Sequence, residues 1–215
     1  MRLPRFLWVP FELGRPFGAP HEPAFQRRVL HEALALVERT DGPVVLADFP
    51  ADAPRSEDEA PWACPVSFAP APSDADDLTA AIRREIGQLA PWAELAPAPT
   101  PNSGLRIDEM VERLTSVADR APDDPIDIEA VRLVADDVRS WYLHAVARQP
   151  GSATSNERNR WFWRETAVAH LLGEVAAALI DHPDPTVRTF ADRAIVPRDH
   201  WDSLVPDRHE DDQDA

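Results

Sequence analysis

The chain contains no lysine. All 22 of its basic residues are arginine, set against 38 aspartates and glutamates, for a formal net charge of −16. Such an excess repels phosphate backbones and anionic headgroups, so neither a nucleic-acid partner nor a membrane surface is expected, and the acidity reads as a solubility device. Cysteine is almost as scarce: Cys64 stands alone. One thiol excludes an intramolecular disulfide framework and a multi-cysteine metal site, and it fits a reducing compartment. No apolar run approaches the roughly 18 residues that mark a membrane-spanning helix. The apolar stretch Phe6–Val9 lies between Pro4 and Pro10 and is too short for a signal-peptide core. A cytoplasmic location is expected.

Hydrophobic residues make up 44% of the 215, enough for a real core, and 23 prolines punctuate the chain. Phe6–Val9 and Val44–Leu46 read as short strands. Between them, Glu22 to Arg39 carries Phe25, Val29, Leu30, Ala33, Leu34 and Val37 as one helical stripe. Residues 50–72 are proline- and acid-rich. Helical spacing returns at Leu78, Ile82, Ile86 and Leu89, and again at Met110, Val111, Leu114 and Val117. A long helix is expected from Pro125 to about Arg148, capped by Asp124, and a second from about Glu157 to Asp181. Asp184-Pro185 opens a short last helix ending near Ala194. The expected fold is mainly α, a helical bundle-like domain with two short N-terminal β segments, with α+β as the alternative. Its parts are an N-terminal segment over residues 1–95, a helical region over 102–198 beyond the Ala/Pro linker, and an acidic tail over 199–215. The alternative is that all of these form one compact domain.

The segment Val9-Pro10-Phe11-Glu12-Leu13-Gly14-Arg15-Pro16-Phe17-Gly18-Ala19-Pro20, followed by Pro23-Ala24-Phe25-Gln26-Arg27-Arg28-Val29-Leu30, resembles the C-terminal part of the glycine/sarcosine/betaine/D-proline reductase component B family. There an apolar residue, Leu-Gly, a Pro and a second Gly precede a helix opening near a Gln. The likeness covers residues 9–49. It implies a cytoplasmic component of a reductase-like system acting on a small amino-acid-derived substrate, accessory or catalytic, with another subunit of the complex as partner. The redox-active selenocysteine or cysteine segment of that family has no counterpart here, since Pro61-Trp62-Ala63-Cys64-Pro65 does not match it. No catalytic residue carries over.

Several groups have chemistry to offer. Gly14, Arg15, Gly18 and His21 lie before a helix whose N-terminus suits a small carboxylate, although two glycines equally serve a tight turn. No Walker or Rossmann pattern occurs, and the sequence identifies no cofactor. Cys64 is the one candidate catalytic thiol; its neighbours Glu57, Asp58 and Glu59 disfavour thiolate, and a free cysteine is commonly a small buried hydrophobe. Trp161, Trp163 and Arg164 form an aromatic–arginine stretch that either anchors a helix or meets a partner, which would make the chain a non-catalytic helical adaptor. Asp137 and His144 on one helix, with Glu165, His170 and Glu174 on the next, are candidates for a helical metal site, with interhelical ion pairing as the competing reading.

Overall fold

Parallel pairing joins the two short apolar segments near the N-terminus. In the computed structural model, which describes residues 5–11, 16–18, 22–40, 44–51, 68–72, 75–96, 99–121, 124–151 and 153–205, β1 (Arg5–Trp8) pairs with β2 (Val45–Asp48). Arg5 stands opposite Val45 and Trp8 opposite Asp48. Parallel neighbours need a crossover, and α1 (Pro23–Glu38) supplies it, opening with Pro23 in its first turn, where the missing N–H costs nothing. The Arg5 guanidinium reaches the far end of α1. It donates to the Leu36 carbonyl at 2.5 Å and the Arg39 carbonyl at 2.6 Å, which no helical N–H can satisfy. Val29, Leu36, Val45 and Phe49 are buried, and the Phe11, Phe25 and Phe49 rings meet pairwise at 5.4–5.7 Å.

The stripe expected on α1 is turned. Val29 and Leu36 point inward, whereas Leu30, Leu34 and Val37 are exposed. Leu36 displaces them because a two-stranded sheet covers only a narrow arc of the helix.

The chain divides into two compact units, one of residues Met1–Ala63 with Pro150–Asn159, the other of Cys64–Gln149 with Arg160–Ala215. This differs from a boundary at the Ala/Pro linker. The helices of the second unit are α2 (Ala75–Ala93), α3 (Ile107–Ala118), α4 (Ile128–Val146), the end of α5 (Ser155–Glu165), α6 (Ala167–Leu179), α7 (Pro185–Phe190) and α8 (Trp201–Leu204). A π-helical turn, Ala191–Ile195, extends α7, and a 3-10 turn, Arg198–His200, leads into α8. Beyond the linker, Asp137 on α4 accepts from Ser103 N at 2.7 Å and Asn102 Nδ2 at 3.2 Å. The whole is mainly α with a short N-terminal parallel pair, as the sequence predicts.

Helix limits follow local chemistry. Asp127, not Asp124, caps α4, its carboxylate accepting from Ala130 N at 3.0 Å. Thr154 and Glu157 form a reciprocal capping box at the start of α5. The single helix expected over 157–181 is broken at Thr166, whose backbone is extended and whose hydroxyl donates to the Phe162 carbonyl and accepts from Ala169 N. Beyond the break, α6 is buried nearly all round, only His170 and Glu174 being half-buried, and it packs on α2, α3, α8 and the π-helical turn. A Cβ on its Gly173 would overlap the Leu204 carbonyl oxygen, so α8 is seated directly on a bare backbone position.

Candidate functional site

The outer face of the β-pair is apolar and open. Residues two apart in a strand share a face, so the register sets Phe6 beside Leu46 and Trp8 beside Asp48 on the side away from Val45. Phe6, Trp8 and Leu46 are exposed, Leu46 to 73%. On α1, Leu30, Leu34 and Val37 follow i, i+4, i+7 and form a second open stripe, Val37 exposed to 70%. Among the described residues, every large exposed hydrophobic except Leu95 belongs to this first unit.

Of the residues expected to hold a small carboxylate, Gly18 is described: it is buried, with φ of 88°, in the turn Pro16–Gly18. That positive φ matches the tight-turn role. Gly14, Arg15 and His21 lie outside the described residues, and so does Cys64.

A polar centre that the sequence does not announce sits in the helical unit. Glu85 on α2 is 3% exposed, among Ile82, Leu89 and other apolar groups. Its carboxylate accepts the Tyr142 hydroxyl at 3.0 Å and the Ala167 N–H at 2.5 Å. Burial pushes the Glu85 pKa up to about 7, and the bonds from Ala167, Tyr142 and Val168 oppose that rise without cancelling it. Tyr142 is also raised, first by burial and then by the charge of Glu85, so its hydroxyl remains a donor. One carboxylate thereby ties α2, α4 and the start of α6, where the helix dipole favours negative charge.

The aromatic–arginine stretch turns inward. Trp161 and Trp163 are 2% and 4% exposed, so they present no aromatic face to a partner; Arg164 alone of the three is exposed. Both rings have core partners. Trp161 lies 5.8 Å from the Phe68 ring and 6.5 Å from Tyr142, and Trp163 meets Phe162 edge-on at 4.9 Å. The rim of Trp163 is basic: His200 stacks at 6.0 Å with 20° between planes, and the Arg139 guanidinium stands 6.0 Å from the ring centre.

The metal candidates are dispersed. Asp137 holds the Asn102–Ser103 turn, and although burial alone would raise its pKa, the bonds from Ser103 and Asn102 bring it below the usual range. His144 keeps a buried Nε2 without a hydrogen-bond partner, and Glu165 is exposed. His170 and Glu174 do come together, lining a cleft of about 580 Å³ with Thr115, Asp119 and Asp202, where burial lowers the His170 pKa. Among the described residues, no three His, Cys, Asp or Glu side chains converge closely enough to hold a metal. No helix of the described residues is long and apolar enough to cross a membrane.

No family model, no curated protein and no solved structure matches the chain.

Proposed function

We propose that the chain is a non-catalytic protein-binding module that docks on a partner polypeptide through its N-terminal β–α–β unit. One observation carries the reading: among the described residues the large exposed hydrophobics, Leu95 apart, fall in one unit, with Phe6, Trp8 and Leu46 on the open sheet face and Leu30, Leu34 and Val37 on α1. Sheets of parallel strands are ordinarily covered on both faces, and exposed apolar patches mark interaction sites. The net charge of −16 keeps such a surface soluble while it is free.

The family resemblance over residues 9–49 takes in α1 and β2, the elements that bear Leu30, Leu34, Val37 and Leu46. On that reading the partner is another subunit of a reductase-like complex acting on a small amino-acid-derived substrate, and this chain is its accessory component. Replacing Phe6 and Leu46 together by Ser tests the docking surface. Tagged wild-type protein recovered from its own cells is expected to carry a stoichiometric partner, and the double variant, with an unchanged circular dichroism spectrum, is expected to lose it. Equal recovery by both, or no partner on the wild type, overturns the reading.

A further inference from the structure

On α6, His170 and Glu174 alone escape burial. Spaced i, i+4, they share one face of the helix. Both line the cleft of about 580 Å³, which lies wholly within the helical unit. A cavity of that size, apolar in the main with a few polar groups turned to it, has the form of a small-molecule site. Leu78 on α2 and Pro72 before it supply apolar wall, as do Leu204 and Val205 at the end of α8. The seat of α8 on Gly173, the chain neighbour of Glu174, fixes that wall and brings Asp202 to the lining. Asp119, where α3 ends, adds a further carboxylate.

The charge of the lining is one-sided. The chain has 22 arginines, yet among the described residues that line the cleft three are carboxylates and none is an arginine. Walls of one sign concentrate the opposite charge between them. The His170 ring adds no positive charge at neutral pH, because burial holds it below the ordinary histidine range. It makes no hydrogen bond among the described residues, so one ring nitrogen remains an open acceptor. The carboxylates come from α3, α6 and α8 and do not converge as metal ligands must.

We infer that this cleft binds a small organic cation, a protonated amine carrying a short apolar body. The ammonium has three donors to share between the His170 ring and the Glu174 carboxylate. Asp119 and Asp202 hold the potential negative, and Leu78, Leu204 and Val205 receive the hydrocarbon. The site is separate from the docking surface of the first unit and does not depend on it.

The probe is n-butylammonium chloride, titrated into the full chain at neutral pH and low ionic strength while the His170 Cε1–H resonance is followed by NMR. Saturable movement of that resonance is expected. Butanol, which has the same length without the charge, should give none, and methylammonium, which has the charge without the chain, should bind more weakly. Glu174→Gln and Asp202→Asn should each weaken butylammonium binding about fivefold, the scale of one partly solvated ionic contact. Asp202 is exposed, so its variant keeps the test open if Glu174→Gln fails to fold. Glu129→Gln makes the same change in net charge on α4, which does not line the cleft, and should leave binding unchanged. No saturation with butylammonium, equal binding of butanol or of methylammonium, or equal weakening by Glu129→Gln overturns the inference.

Discussion

The Glu85 carboxylate accepts the backbone N–H of Ala167 at 2.5 Å, across 82 positions of chain. Thr166 starts α6 locally, but Glu85 satisfies a donor that the break leaves without a helical carbonyl. The bond therefore fixes both where α6 begins and how α2 lies against it.

That bond has a pH signature. With a folded pKa of about 7 against an ordinary 4.5, Glu85 holds its proton in the folded state at pH values where the unfolded chain has released it. Its contribution is most favourable below pH 4.5 and is lost as pH rises from 4.5 to 7. Glu85→Gln keeps the shape and removes the titration. Between pH 4.5 and 7.5, urea unfolding should show wild type losing about 3 kcal/mol relative to Glu85→Gln, the size of a shift from 4.5 to about 7. Parallel stability curves for the two proteins would contradict this.

Gly173 offers a test that runs against helix propensity. In an open helix Gly→Ala gains up to about 1 kcal/mol. Here the new Cβ would overlap the Leu204 carbonyl oxygen and stand 2.6 Å from its carbon, with no flexible side-chain end to give way. Gly173→Ala should destabilise by about 2 kcal/mol, read as a lower urea midpoint, with faster proteolysis at α8. An equal or higher midpoint would show that α8 does not sit there.

Asp137 anchors the turn that leads into α3, so Asp137→Ala should free residues 102–106 and cost about 2 kcal/mol, the range for bonds to a charged acceptor. Hydrogen exchange at the Ser103 amide reads this directly and should accelerate well beyond the change in global stability. Unchanged Ser103 protection would count against the anchor.

Leu78, Ile82, Leu89, Val131, Val138, Leu172 and Val175 are buried where helical spacing sets them, because an apolar stripe reports its own buried face. The open surface of the first unit was not legible. The run Leu30, Leu34, Val37 looks like any core stripe, and only the narrow sheet decides that Leu36 goes inward instead. The break at Thr166 carries no proline or glycine, and what completes it comes from Glu85 on another helix. Glu85 reads as one more surface acid until the fold brings Tyr142 over it. Trp163, Arg139 and His200 lie on three separate elements, so the basic rim around the indole appears only once they are packed.

The docking of the β–α–β unit is tested most directly by photo-crosslinking in the cells that make the protein. A photoreactive residue is placed in turn at Leu34, at Leu46 and, as an exposed polar position in the helical unit, at Glu112. Adducts of one discrete mass at positions 34 and 46, absent at 112, are expected. Positions 34 and 46 giving no more adduct than 112 would contradict a covered apolar face.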